Sequence, residues 1–175
     1  EIDNKCPRAD GSPGFCDPTV YQSETNTLYR NLGGGRFEDV SVRSGITKSP
    51  GRALAVAWLD YDADGFDDIF VANDRDPNTL FHNERNGRFS EVGVDAGVAY
   101  GAGGIAVSGM GVAVGDYDRT GRESLLVTNL NGEIFSLFRN TGGGRFVYSS
   151  DDANLRLPTL PWSGFGTAFL DHDRD

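Results

Sequence analysis

The sequence predicts an all-β chain built from repeated four-stranded antiparallel units, and three observations carry that prediction. Two separate motifs recur at one shared period. The apolar segments are short and alternate small with large residues. Glycine is abundant beside aromatics, with 24 Gly, 11 Phe and 6 Tyr in 175 residues, a glycine usage roughly twice the average that suits short strands and tight turns. No window repeats apolar residues at helical spacing for three turns.

The first motif reads ALAVAWLD at Ala53–Asp60, GMGVAVGD at Gly109–Asp116 and GFGTAFLD at Gly164–Asp171, so its closing aspartates stand 56 and 55 residues apart. The second runs from Asn26 through Leu28 to Asn31 with Gly35 and Phe37, from Asn78 through Leu80 to Asn83 with Gly87 and Phe89, and from Ser136 to Asn140 with Gly144 and Phe146. Its closing asparagines are 52 and 57 residues apart. Two motifs on one period mark a repeat architecture.

One complete unit supplies four strands. Ala53–Leu59 comes first and Asp68–Ala72 follows an acidic loop. Leu80–Asn83 and Arg88–Val92 then form a hairpin across Glu84–Gly87, where Asn-Gly is a strong turn signal. Four antiparallel strands in about 55 residues match one blade of a β-propeller; a sandwich of plain hairpins is the competing arrangement. Along the first strand Ala53, Ala55 and Ala57 oppose Leu54, Val56 and Trp58, and in the next unit Gly109, Gly111 and Ala113 oppose Met110, Val112 and Val114. First strands line the crowded centre of a propeller, so a small face must receive a large face from the neighbouring blade.

Propellers close with four to eight blades, whereas this length holds about three. The expected organisation is a Cys-containing loop (1–19), strands three and four of a blade (20–46), a full blade (52–93), a second full blade (109–150), and the first strand with part of the loop of another (164–175). The chain therefore reads as a fragment of a larger propeller, expected to bury its open faces against remaining blades of the same protein or against other chains.

Asp60, Asp62, Asp64, Asp67 and Asp68 place five carboxylates in nine residues between two apolar strands. At about 4 Å such charges repel by about 1 kcal/mol per pair even in water. A hard divalent cation with oxygen ligands removes that repulsion, so calcium is expected here. Asp60, Asp62 and Asp64 hold positions one, three and five, Gly65 permits the sharp turn, and the Phe66 carbonyl and Asp68 complete the shell. Position twelve is Val71 and the flanks are strands, which excludes an EF-hand. In the second loop Asp116, Asp118, Thr120, the Arg122 carbonyl and Ser124 take the same positions with fewer carboxylates. That loop either holds a cation or is held by its own turn and hydrogen bonds. Asp171, Asp173 and Asp175 begin a third.

These residues resemble the FG-GAP/VCBS-type propeller repeats of integrin α-subunits and many exported bacterial proteins. The pairing of Asn-x-Leu-Tyr/Phe-x-Asn and Gly-x-Phe with D-x-D-x-D-G-x-x-D is most similar to the ASPIC/UnbV (cartilage acidic protein-like) group. The resemblance implies that the loop joining the first two strands holds calcium, which assigns that role to Asp60, Asp62, Asp64, Phe66 and Asp68. It extends to Asp116 and Asp118, where Thr120 and Ser124 depart from the pattern.

Cys6 and Cys16 fit no zinc knuckle and read as one disulfide, with two free thiols as the alternative. His82 and His172 occupy positions that vary between the repeats and read as ordinary strand and loop residues. No nucleophile elbow, HExxH or phosphate-cradling loop appears, so the chain is expected not to be an enzyme. The net charge of -10 offers no cationic stripe for nucleic acid, and no apolar run approaches the roughly 18–20 residues of a membrane span. Strand alternation puts the acidic loops on one face. The opposite face, with Asn73–Pro77, Tyr100–Ser108 and Leu157–Ser163, is left to receive a protein or glycan ligand. The resulting expectation is a calcium-stabilised, non-catalytic module of an extracellular, periplasmic or cell-surface protein, serving adhesion, assembly or recognition. The alternative is part of a polysaccharide-acting extracellular enzyme whose catalytic residues lie outside these residues.

Overall fold

The computed structural model describes residues 6–172, so the calls on Asp173 and Asp175 lie outside the described residues. Its strands form four antiparallel sheets among those residues. β1 (Cys6–Pro7) pairs with β2 (Pro13–Gly14) in a short ribbon, closed by the Cys6–Cys16 disulfide. β3 (Tyr29–Gly33) and β4 (Arg36–Asp39) form a hairpin, followed by the single-turn helix α1 (Ser41–Ser44). β5 (Ala53–Leu59), β6 (Asp68–Asn73), β7 (Thr79–Asn83) and β8 (Phe89–Glu91) make the first full sheet in sequence order. After the helical turn α2 (Gly93–Ala96) come β9 (Gly111–Gly115), β10 (Ser124–Thr128), β11 (Ser136–Gly142) and β12 (Arg145–Tyr148), again a simple meander. A last turn, α3, spans Arg156–Thr159. Two four-stranded antiparallel meanders are the blades that the repeat predicts, and no closed ring of sheets is seen among the described residues.

The main core lies between the two blades. Phe70, Ala72 and Leu80 from the first meet Leu125, Val127 and Phe138 from the second, with Ala96 and Val98 filling the edge. Ala55 on β5 and Val112 and Val114 on β9 pack against it. A small face thus receives a large one, as the alternation requires. The pattern recurs one step on: a Cβ on Gly111 would sit 2.5 Å from the Phe165 carbonyl, and one on Gly115 would sit 2.7 Å from the Phe169 ring. A second cluster of Ile46, Ile69, Val71 and Phe81 covers the other side of the first blade. There the large face of β5 stays open, with Leu54, Val56 and Trp58 each more than half exposed.

Three details depart from the sequence reading. Residues 164–170 run beside β9, and Gly164 N–H donates to the Asn129 carbonyl (3.0 Å), but they form no ladder. A first strand takes its hydrogen bonds from a second, and none lies beside it among the described residues. The turn across the Asn-Gly pair is also one residue longer than Glu84–Gly87, since β8 begins at Phe89. Asn83 pairs with Phe89, because Asn83 Oδ1 accepts the Arg85 N–H (3.0 Å) and Arg85 and Gly87 both take positive φ. Finally, single helical turns follow β4 and β8, each ended by a glycine at φ 87, Gly45 and Gly97. Gly97 has a second constraint, since a Cβ there would meet the Phe146 carbonyl at 2.7 Å.

Candidate metal centre

The loop between β5 and β6 is wound by its own carboxylates. Asp60 accepts the N–H groups of Asp64 (3.0 Å) and Gly65 (2.9 Å), and Asp64 Oδ1 accepts that of Phe66 (2.9 Å). Short polar side chains capture nearby main-chain donors in this way and replace sheet hydrogen bonds with a coil. Gly65 at φ 87 makes the turn. Asp68, at the start of β6, is fully buried and accepts from Asn83 N–H (2.7 Å) and Tyr61 N–H (3.3 Å). Burial pushes its pKa up to about 6 against those two hydrogen bonds, and the Asp62 charge adds to the rise.

Carboxylate oxygens of Asp60, Asp62 and Asp68 lie within 4.8 Å of one another, and Asp62 also groups with Asp64 and His82 at that distance. Asp62 Oδ1 is buried without a hydrogen-bond partner. An all-oxygen set around a buried, unsatisfied carboxylate oxygen suits a hard divalent cation, and calcium tolerates its irregular geometry better than magnesium does. The residues therefore fit the ion the motif implies. Asp60, Asp62 and Asp68 would hold it, and it would neutralise their mutual repulsion.

Asp64 is placed differently. Its Oδ2 is gripped by the Arg85 guanidinium at 2.6 and 2.9 Å, which holds its carboxyl below the usual range. Phe66 turns its ring outward beneath the same guanidinium, 5.3 Å from the ring centroid. Asp67 lends its carbonyl to Asn83 Nδ2 (3.0 Å).

Three contributors escaped the sequence reading. His82 Nδ1 lies 3.3 Å from Asp68 and 3.6 Å from Asp62, without hydrogen-bond alignment, and its ring stands edge-on to Tyr61. Glu123 accepts the Asp60 N–H (3.2 Å) from the neighbouring blade. Asn140, the closing asparagine of the second motif, donates to the Tyr61 and Glu123 carbonyls (2.8 and 3.1 Å). The loop is thus tied to the next blade as well as to its own. A signal for His82 was present: Arg30 and Arg139 fill its slot in the other repeats, so that slot always carries a side chain able to meet an acidic loop.

The second loop keeps the winding and loses the charge. Asp116 accepts from Thr120 N–H (2.9 Å) and Gly121 N–H (2.7 Å), and the Thr120 hydroxyl donates to Asp118 (2.9 Å). Ser124 Oγ accepts the Asn140 N–H (3.1 Å), the bond that Asp68 takes from Asn83. Arg122 lays its side chain past Gly142. Among the described residues, the groups of three that could hold a metal ion all centre on the first loop, with His82 of β7 joining one of them. Asp171 shares an opening with Asp116 and Tyr117.

On the opposite face, Ser108 N–H donates to Glu133 (2.8 Å), Arg75 pairs with Glu133 (3.2 Å), and Arg52 pairs with Asp76 (2.7 Å). Trp162 is exposed there.

The FG-GAP-like repeat model matches residues 15–71 and 60–127. The chain belongs to the FG-GAP-like repeat family. FG-GAP-like repeats imply a propeller-type fold, in keeping with the two meanders and their face-to-face packing. Cartilage acidic protein 1 of Mus musculus is 35% identical over 97 residues, which cover 55% of this chain and 14% of that protein. The Homo sapiens protein of the same name gives the same figures. That of Xenopus tropicalis is 32% identical over 113 residues, 63% of this chain and 16% of the relative. The chain thus matches only 14–16% of the length of these relatives. Membership in this family makes the chain a repeat module. No helix among the described residues is long and apolar enough to cross a membrane.

Proposed function

We propose that the chain is a calcium-stabilised, non-catalytic propeller module of an exported protein, serving adhesion, assembly or ligand recognition. The observation that supports calcium most directly is the buried, unpartnered Asp62 Oδ1 inside the group formed with Asp60 and Asp68. The Cys6–Cys16 disulfide supports an oxidising compartment. The cation's role is structural: it locks the β5–β6 loop that ties both blades together. The open face of β5 is then a contact surface for further blades or another chain, and the face opposite the acidic loops is the one free to receive a protein or glycan.

Calorimetric titration of chelator-treated protein with calcium is expected to show one tight site per chain. Asp62→Asn should abolish it, while Asp118→Asn should leave it in place. Absence of binding, or binding lost only with Asp118→Asn, would contradict the assignment.

A further inference from the structure

The sequence contains two Asn-Gly pairs, Asn86-Gly87 and Asn131-Gly132, with both asparagines exposed. Glycine has no Cβ, so in such pairs its main-chain nitrogen can reach the side-chain amide carbon of the asparagine. The fold treats the two pairs differently. At Asn131 the attacking group is occupied: Gly132 N–H donates to the Leu160 carbonyl at 2.7 Å. The asparagine is held as well, its N–H on Ser163 Oγ (3.1 Å) and its Oδ1 facing the Ser163 hydroxyl (3.4 Å).

At Asn86 the first restraint is missing and the second takes another form. Gly87 has φ 78 with nothing within 4 Å of a would-be Cβ, and among the described residues its N–H has no hydrogen-bond acceptor. Asn86 Oδ1 accepts the Arg88 N–H (3.0 Å). That bond folds the side chain back along the Gly87–Arg88 main chain and polarises the Cγ carbonyl. We propose that Asn86 is a self-modification site, which converts to isoaspartate and aspartate in the folded protein while Asn131 stays protected.

The Gly87 nitrogen loses its proton and bonds to Asn86 Cγ; the Cγ–Nδ2 bond breaks and ammonia leaves, giving a succinimide. Solvent water then opens the ring. Cleavage at the main-chain carbonyl leaves isoaspartate, and cleavage at Cγ leaves aspartate. Either product replaces a neutral amide with a carboxylate beside Arg85, the residue that grips Asp64. The modification therefore adds charge at the rim of the acidic loop.

Folded protein incubated in mildly alkaline heavy-oxygen water, then digested and sequenced by mass spectrometry, tests this. The Asn86 peptide is expected to take up label and acquire isoaspartate at least about fivefold faster than the Asn131 peptide, the scale set by holding a backbone hydrogen bond. In urea the two rates should converge. Equal rates in the folded protein, or a faster Asn131, would overturn the proposal. So would a difference that persists in urea, because the following residues, Arg88 and Glu133, would then set the order rather than the fold.

Discussion

Phe138→Ala is expected to destabilise the protein by about 3–5 kcal/mol, the range for deleting a buried phenylalanine side chain. Phe138 is fully buried in the cluster between the blades and meets Tyr148 edge-on, with centroids 6.0 Å apart. The cavity would open where β10, β11 and β12 present side chains to the first blade, and small residues such as Ala72 cannot grow to fill it. Phe138→Leu should recover most of the loss, because it keeps much of the volume. Urea unfolding monitored by tryptophan fluorescence provides the comparison, with the midpoint shifting and the slope preserved.

Asp68→Ala is expected to cost about 2 kcal/mol or more, since it leaves the Asn83 and Tyr61 N–H groups without an acceptor. Asp68→Asn should cost less, because it keeps one carbonyl oxygen in place. The pH response separates charge from packing. The folded pKa of Asp68, about 6, lies above its unfolded value of about 3.9, so the folded state binds this proton more tightly. The stability it contributes is full below about pH 4 and lost as pH rises through about 6. Chelated protein should therefore lose stability between about pH 4 and about pH 6 and level off above that, and Asp68→Asn should flatten that slope. Calcium should reverse the trend, because it binds the deprotonated carboxylate; its affinity should fall below about pH 6.

Much of this was legible from residues alone. The two blades follow from the alternation in Ala53–Leu59 and from the recurring Asn-Leu-Phe-Asn and Gly-x-Phe signatures, because each signature residue has a local task. Asn31, Asn83 and Asn140 each accept a main-chain N–H two residues ahead, so the hairpin is written into its closing asparagine. The acidic loop was legible for the same reason, its bonds being made within a few residues. Glu123 and Asn140 were not, since they reach Asp60 and Tyr61 across 63 and 79 residues, and a sequence shows such partners only through the packing of blades. Segment 164–170 carries the first-strand pattern without strand hydrogen bonds, which shows that the pattern encodes a packing face and the neighbour supplies the ladder.

The central claim, that a cation completes the β5–β6 loop, is tested most directly by thermal unfolding with calcium and with chelator at neutral pH. If calcium is present at about a hundred times its dissociation constant, linkage adds about 2.7 kcal/mol, which raises the midpoint by roughly 5–10 °C for a chain of this size. Asp62→Asn should remove that response while leaving the chelated curve nearly in place. Identical curves with and without calcium in the unsubstituted protein would contradict the claim.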